Sequence, residues 1–146
     1  MSISIKETIQ EKLGSKILAW EERSSRRIYL SVKKEDIFET VKLFFKELGL
    51  RFSIASGMET PDGFEILYHF AYDATGEMYS VRVFIDDKKN PAIDAITPLF
   101  PGAEWIEREM WELLGINFKG HPNLKRLLLA EDWPEGNYPL RQSHES

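Results

Sequence analysis

The sequence predicts an α+β fold: a mixed, mainly antiparallel sheet of about five strands with helices packed on it, followed by an extended C-terminal tail. Stretches of alternating apolar residues are interleaved with stretches of helical spacing, whereas the last part of the chain has neither period. The length of 146 residues is enough for one hydrophobic core but not for two ordinary domains. We therefore expect one domain over residues 1–115 and a partner-binding tail over residues 116–146.

Two helices are expected in the first third of the chain. Apolar residues recur at every fourth position from Ile5 to Leu13, so a short helix should end at Gly14. A second helix is predicted over Lys34–Leu48, where the apolar residues follow helical spacing. Gly49 is well placed as its C-cap.

Strands are predicted before and after the second helix in the sequence. Lys16–Trp20 and Arg27–Val32 are predicted to form a hairpin around the charged turn Glu21–Arg26. Arg51–Ala55 is a further strand, so the strand, helix and strand form a candidate right-handed crossover.

The clearest strands lie in the middle of the chain. Alternation over Phe64–Tyr72 and Tyr79–Ile85 predicts two paired strands, and Thr60–Gly63 and Asp73–Gly76 have the residue types of the turns before each of them. His69 falls among aromatic residues in mid-strand, where a hydrogen-bonded structural histidine is favoured over a ligand or a base.

The pattern then becomes helical. Helices are predicted over Ala92–Phe100 and Ala103–Leu114, separated by a break at Pro101–Gly102 and ended by Gly115. The inward stripe of the second piece is predicted to consist of Ile106, Met110, Leu113 and Leu114.

Composition and charge argue against several classes of function. A net charge of −5 argues against a general nucleic-acid binder, which needs basic residues to neutralise phosphates. Cysteine is absent, which excludes thiolate nucleophiles, disulfides and cysteine-ligated iron–sulfur clusters within the chain. The three histidines are far apart, so no metal site is expected. No signal peptide or membrane-spanning stretch is recognisable, so we expect a soluble, cytoplasmic protein.

Residues 116–146 combine three prolines with many apolar side chains. Structureless segments of more than about 12–15 residues inside a domain are usually functional or disordered. The aromatic and branched aliphatic content argues against disorder, because a free tail would expose a large apolar strip. The tail therefore either folds back over its own domain or covers a partner subunit, and we favour the partner.

The last predicted helix is unusually rich in charge and indole. Its residues of these types are Glu104, Trp105, Glu107, Arg108, Glu109, Trp111 and Glu112. One interpretation is a solvated face of ion pairs, which contributes only about 0–1 kcal/mol per pair. A second is an interface, since Trp and Arg are enriched at binding hot spots. A third uses two of the carboxylates as general acid and base with His121 as proton carrier, although nucleophile, phosphate loop and metal motifs are missing.

The end of this helix and the tail together resemble the signature of a known family. The matching residues are Glu107-Arg108-Glu109, Glu112 to Ile116, Phe118, Gly120-His121-Pro122, Leu124, Lys125 to Leu128, Trp133, Gly136 and Pro139-Leu140-Arg141. They resemble the 30 kDa subunit of respiratory complex I, which is the C subunit of the bacterial NADH-quinone oxidoreductase, and the related subunit of membrane-bound energy-converting nickel–iron hydrogenases.

The resemblance implies a cofactor-free, non-catalytic subunit in the peripheral arm of a membrane oxidoreductase. Its partners would be the large, hydrogenase-like subunit and the iron–sulfur small subunit, and it would meet the cytoplasmic face of the membrane only through the complex. The electron donor and acceptor stay open, as does the choice between an NADH:quinone oxidoreductase and a hydrogenase.

The resemblance also assigns roles to single residues. The residues predicted to bind the partner are Arg108, Glu109, Glu112, His121, Arg126, Leu127, Leu128, Trp133, Leu140 and Arg141. The first three would fix the last helix, the histidine would turn the chain, the two later arginines would pair with partner carboxylates, and the apolar residues would anchor the tail. Two alternatives stay open: a free-standing enzyme that uses Glu107, Glu109 or Glu112, and a binding module unrelated to redox chemistry.

Overall fold

A computed structural model describes residues 4–122, 124, 138, 140 and 141. The strands of the main sheet are β1 (Ala19–Ser24), β2 (Arg27–Ser31), β3 (Arg51–Thr60), β4 (Gly63–Tyr72) and β5 (Glu77–Ile85), in the spatial order β1-β2-β5-β4-β3. The α-helices are α1 (Ile5–Leu13), α2 (Ile37–Lys42) and α3 (Glu104–Leu114), and a second sheet pairs β6 (Ala92–Asp94) with β7 (Asn117–Lys119). The predicted α+β class, with a mixed five-stranded sheet and helices packed on it, is confirmed.

The chain divides into two compact units, and the first contains residues up to Ile54 together with Tyr68–Val83. Its core is aromatic: the ring of Phe44 lies 5.3 Å from that of Phe70 and 6.2 Å from that of Tyr79, in edge-to-face geometry. Edge-to-face pairs bring the positive edge of one ring to the negative face of the other. These contacts fix the second helical segment against the sheet.

Both helices predicted for this unit are present. Ser4 caps α1 by accepting a hydrogen bond from the Glu7 amide, and Gly14 ends the helix with φ of 53°. The second segment begins with a 3-10 turn, continues as α2 and finishes as a π-helical turn at Leu43–Glu47. Gly49 follows with φ of 69°, as its predicted capping role requires.

The first hairpin is shifted relative to the prediction. Its first strand is β1 rather than Lys16–Trp20, and the turn consists of Ser25 and Arg26 alone, so the charged residues predicted for a long turn lie in the strand. The physical reason is that β1 is an edge strand exposed along most of its length. Such a strand buries little and needs no alternating apolar pattern, and its charges protect the edge.

The crossover after β2 leads to the far side of the sheet. β2 pairs in parallel with β5, and both β5 and β4 lie between β2 and β3. The turns between β3 and β4 and between β4 and β5 are short, so these strands form an antiparallel meander, as the sequence predicts. His69 in β4 lies 2.7 Å, Nδ1 to Oγ, from the buried Ser80 in β5, and burial lowers the pKa of its imidazole.

The second unit contains Ala55–Leu67 and the chain from Phe84 onwards. The helix predicted over Ala92–Phe100 is wrong: β6 occupies its start, and turns follow. β6 pairs in parallel with β7, burying Ile93 and Phe118. Pro98 removes a backbone donor and disfavours helical geometry at Thr97, which explains why the apolar spacing misleads here.

Helix α3 is present almost as predicted, but its buried face differs from the predicted stripe. The residues of α3 that the structure buries are Glu107, Arg108, Met110, Glu112 and Leu114. Ile106 and Leu113, predicted to point inward, are only half-buried. The buried face is centred on Glu107, Met110 and Leu114, which are spaced i, i+3 and i+7. Glu107 faces inward because its carboxylate accepts hydrogen bonds from backbone amides inside the unit. The interpretation of these charges as a solvated face is therefore wrong for Glu107, Arg108 and Glu112, whereas Glu109 is exposed.

Candidate partner-binding site around helix α3

The Glu107 carboxylate is a buried acceptor for the loop that follows β6. Its Oε2 accepts a hydrogen bond from the Ile96 amide at 2.8 Å, and its Oε1 accepts from the Thr97 amide at 3.2 Å and the Thr97 hydroxyl at 2.5 Å. The whole residue is 1% exposed. A carboxylate that satisfies three donors of a turn holds that turn against the helix.

Burial raises the pKa of Glu107, while the hydrogen bonds from Thr97 and Ile96 and the charge of His121 act in the opposite direction. The raised pKa is the result of a charge placed where little water can solvate it. The three donors that meet this carboxylate all belong to the chain itself. This geometry favours a structural role for Glu107 over the acid–base role considered for it from the sequence.

Arg108 lies on the adjacent edge of α3 and is also buried, at 4% exposure. Its guanidinium carbon is 5.0 Å from the centre of the Trp105 ring, and its Nη1 is 3.9 Å from Oε1 of Glu104. A guanidinium on an indole face gains a cation–π interaction. The indole itself is 57% exposed, so the buried arginine supports a tryptophan whose outer face meets solvent.

The N-terminal end of α3 is linked to the chain after β7. Nε2 of His121 donates a hydrogen bond to the carbonyl oxygen of Glu104 at 3.1 Å, and the amide of His121 donates to the carbonyl of Phe118 at 3.2 Å. The chain turns at this point, and the next described residue, Pro122, is exposed. His121 thus lies beside the first turn of the helix.

The C-terminal end of α3 is covered by residues from the end of the chain. The Gly115 amide donates to the Trp111 carbonyl at 2.8 Å, the Leu140 amide to the Leu113 carbonyl at 3.0 Å, and Nε of Arg141 to the Leu114 carbonyl at 2.6 Å. The last four carbonyls of a helix have no partner within it. Three of these four carbonyls, those of Trp111, Leu113 and Leu114, therefore accept a hydrogen bond here.

Arg141 is held by two rings as well as by this hydrogen bond. Its guanidinium carbon lies 5.0 Å from the centre of the Phe64 ring and 4.8 Å from that of Tyr138. Tyr138 in turn lies against Gly115, where a Cβ atom would come within 2.5 Å of the ring. The sequence prediction gave Arg141 a carboxylate on another chain, whereas a backbone carbonyl of its own chain accepts its hydrogen bond here.

The structure distributes the predicted partner-binding residues over three environments. Arg108 and Glu112 are buried, His121 and Arg141 are half-buried, and Glu109 and Leu140 are exposed. Arg126, Leu127, Leu128 and Trp133 lie outside the described residues. Sequence reasoning missed the role of Tyr138. The absence of a basic residue from the last turn of α3 was a signal that a cation from elsewhere in the chain would stabilise this helix end.

Two further properties bear on function. Within the part of the chain that the structure describes, no three His, Asp or Glu residues gather as a metal site. Among the same residues, no helix combines the length and apolar character required to cross a bilayer.

The comparisons with known proteins identify the family. The profile described as "Respiratory-chain NADH dehydrogenase, 30 Kd subunit" matches residues 30–146. The chain belongs to this family. The match begins near the end of β2 and covers everything after it, including β3, β4, β5, α3 and residues 121–146, which we call the C-terminal segment. It confirms the resemblance noted in the sequence.

Similar proteins in bacteria carry the corresponding names. The C subunit of the NADH-quinone oxidoreductase of Citrifermentans bemidjiense is 31% identical over 80% of this chain and 73% of that protein. The protein of the same name in Salinispora tropica is 32% identical over 79% of this chain and 49% of that protein. The present family member therefore spans about half to three quarters of the length of these relatives.

Two solved structures share the fold. One is described as Nqo5, a trypsin-resistant fragment, with a TM-score of 0.68 and 22% identity over 82% of this chain and 98% of that one. The other belongs to the membrane-bound sulfane sulfur reductase, an archaeal respiratory membrane complex, with a TM-score of 0.82 and 22% identity over 97% of this chain and 84% of that one. At this level of identity the likeness concerns the fold.

Proposed function

We propose that this family member is a cofactor-free structural subunit of the peripheral arm of a complex I-like membrane oxidoreductase. Its task is to hold the large subunit in register with its neighbours, including the iron–sulfur small subunit. The observation that carries the proposal is the family match across α3 and the C-terminal segment. Electron transfer between neighbouring subunits depends on reactive centres held within fractions of an ångström to about one ångström, so a subunit that limits relative motion serves the reaction without taking part in it.

The large subunit is the favoured partner because some relatives are named for two subunits at once. The C/D subunit of the NADH-quinone oxidoreductase of Bacteroides thetaiotaomicron is 30% identical over 66% of this chain and 18% of that protein. The protein of the same name in Photorhabdus laumondii is 40% identical over 56% of this chain and 13% of that protein. Polypeptides joined in one chain are expected to lie side by side when they are separate.

The surface that would meet the partner lies on α3 and the C-terminal segment. Trp105 and Leu140 are each 57% exposed, and Glu109 is exposed between the two ends of the helix. Exposed indole and aliphatic side chains next to polar groups are typical anchors of an interface. We propose that Leu127, Leu128 and Trp133 complete this surface, with Arg126 pairing with a carboxylate of the large subunit. Arg108 supports this surface from within the domain, because it is buried against the Trp105 ring, and we propose a supporting role for the buried Glu112 as well.

Co-purification with the large subunit of the same complex tests this function. The full chain should be retained by an affinity-tagged large subunit, whereas Leu128→Asp and Trp133→Ala should reduce retention by about tenfold or more, since hot-spot truncation costs about 2 kcal/mol or more. Leu18→Asp is the matched control, because Leu18 is 58% exposed but belongs to neither α3 nor the C-terminal segment. Equal retention of all the variants would exclude the segment as the binding element, and failure of the native chain to be retained would reject the function.

A further inference from the structure

The last described residues of the chain, Leu140 and Arg141, bind the C-terminal end of α3. The helix ends in Glu-Leu-Leu-Gly with no basic residue in its final turn, although a cation there would interact favourably with the negative end of the helix dipole. Arg141 supplies that cation from 27 residues further along the chain, at 2.6 Å from the Leu114 carbonyl. The hydrogen bond is charge-assisted, which makes it one of the stronger kinds in a protein.

Several separate contacts hold Arg141 and its neighbours at the C-terminal end of α3. Phe64 and Tyr138 both lie within cation–π distance of the guanidinium, and the adjacent Leu140 amide donates to the helix end. Gly115 makes room for the Tyr138 ring by lacking a Cβ atom, and its φ of 80° gives the chain the turn that ends the helix. Five residues from three parts of the sequence thus meet at one helix end.

The other end of α3 is linked to the start of the same segment. His121 is bonded to the Glu104 carbonyl at the first turn of the helix, whereas Arg141 is bonded to the last residue, Leu114. An 11-residue helix is about 16 Å long at 1.5 Å per residue. His121 and Arg141, which stand near the beginning and the end of the C-terminal segment in the sequence, are therefore attached to opposite ends of the same helix.

From this arrangement we propose that Arg141 is a positioning residue, which fastens the C-terminal segment to its own domain so that the large subunit meets a segment held at both ends rather than a free tail. The inference rests on the proposed function and changes the role of Arg141 from a contact with the partner to a contact within the chain. A segment fixed at both ends loses less conformational entropy on binding, so the fastening should increase affinity.

The first test is the affinity of the full chain for the purified large subunit. Arg141→Ala should weaken binding by about tenfold, the equivalent of 1.4 kcal/mol. Arg27→Ala is the matched control, because Arg27 is an exposed arginine on β2. Thermal unfolding of each variant establishes that the domain is folded at the temperature of the binding measurement.

A disulfide rescue separates positioning from a direct contact. The chain contains no cysteine, so Leu113→Cys and Leu140→Cys introduce one possible bridge. The backbones of these residues are adjacent, because the Leu140 amide lies 3.0 Å from the Leu113 carbonyl oxygen. Loss of free thiol on oxidation checks that the bridge forms. The reference is the oxidised Leu113→Cys, Leu140→Cys chain that keeps Arg141, because it has lost the same exposed Leu140 side chain. Relative to that reference, the oxidised form in the Arg141→Ala background should regain affinity to within about threefold, and reduction should abolish the gain.

The outcomes distinguish this inference from the proposed function. If the native chain binds and the oxidised bridge fails to restore affinity to Arg141→Ala, the guanidinium contacts the partner directly and the positioning role is overturned. If the native chain does not bind the large subunit, the proposed function fails, and amide exchange then tests the fastening by itself. The Leu140 amide should exchange slowly in the native chain and rapidly in Arg141→Ala, and fast exchange in both would overturn the fastening.

Discussion

Thr97 donates both its amide and its hydroxyl to one oxygen of the Glu107 carboxylate, across ten residues of sequence. Together with the Ile96 amide, this places a turn of irregular chain directly on the buried face of α3. Irregular segments rarely enter a core because their backbone donors lose water. Glu107 replaces that water, so the turn and the helix form one structural element.

Glu107→Ala should therefore destabilise the protein strongly. Removal of the carboxylate leaves three donors without their acceptor in a buried place, and each such group costs about 1–3 kcal/mol when unsatisfied. We expect a loss of about 3 kcal/mol in the free energy of unfolding, or about 10 °C in the thermal midpoint. Urea unfolding followed by tryptophan fluorescence measures the change.

The control for this substitution is on the same helix. Glu109 is exposed, so Glu109→Ala should change the free energy of unfolding by no more than about 0.5 kcal/mol. Thr97→Val removes the hydroxyl donor alone and should cost about 1 kcal/mol. If Glu107→Ala were as mild as Glu109→Ala, the carboxylate would not be what holds the turn.

The raised pKa of Glu107 gives its contribution to stability a definite dependence on pH. Since burial raises the pKa above the ordinary value of 4.5, the folded chain binds this proton more tightly than the unfolded chain does. The resulting stabilisation is complete below the unfolded pKa and is lost as the pH rises through the folded pKa. The difference in free energy of unfolding between the native chain and Glu107→Gln should thus shrink as the pH increases from about 4 to 8.

His121 must be accounted for in this measurement, because its charge lowers the pKa of Glu107. The same pH series in a His121→Gln background removes that charge and should move the loss of stabilisation to higher pH. A difference that instead grew with pH would mean that the three donors outweigh burial and that the folded pKa is depressed.

The sequence predicts the elements of this fold best where burial and periodicity agree. β4 alternates buried aromatic residues with less buried positions over most of its length, and it lies where it was predicted. β1 has no buried residue and was displaced in the prediction, because an edge strand leaves no apolar pattern. The helix predicted over Ala92–Phe100 is wrong for the opposite reason, because an apolar pattern is present there. Its apolar residues are mostly buried, but they lie in a short parallel strand pair and a turn rather than in a helix.

The sequence predicted which residue types form the candidate site, but it did not predict which groups those residues contact. The density of Glu, Arg and Trp in α3 marked the helix as unusual. That Glu107 bonds a turn ten residues earlier, and that Arg141 bonds the helix end 27 residues earlier, depends on tertiary contacts that no local spacing encodes. The family signature contains both residues but says nothing of the groups they meet.

Trp105 should contribute to binding of the large subunit and little to folding. Its indole is 57% exposed and rests on the buried Arg108, so Trp105→Ala exposes the guanidinium but opens no cavity in the core. We expect the affinity to fall by about tenfold or more, in the range of an interface hot spot. Leu18→Ala provides the comparison, since Leu18 is equally exposed, at 58%, in the first unit. Similar affinities of the two variants would remove Trp105 from the interface.

Gly115→Ala should destabilise the protein through two separable effects. The backbone at this position has φ of 80°, which costs about 1 kcal/mol for a residue with a side chain, and the new methyl group would come within 2.5 Å of the Tyr138 ring. The ring must move, and Arg141 then loses one of the two aromatic faces that hold it. We expect a total loss of about 2 kcal/mol in the free energy of unfolding.

A double-mutant cycle with Tyr138→Ala separates these effects. In the Tyr138→Ala background the clash is already gone, so Gly115→Ala should cost only the backbone strain of about 1 kcal/mol. Gly102→Ala is the control, because φ at Gly102 is not positive and an added Cβ there would make only an ordinary contact, 3.8 Å from Phe100. Equal costs of Gly115→Ala in both backgrounds would show that Tyr138 does not rest on the helix end, and the fastening of the C-terminal segment would then lose the ring that supports Arg141.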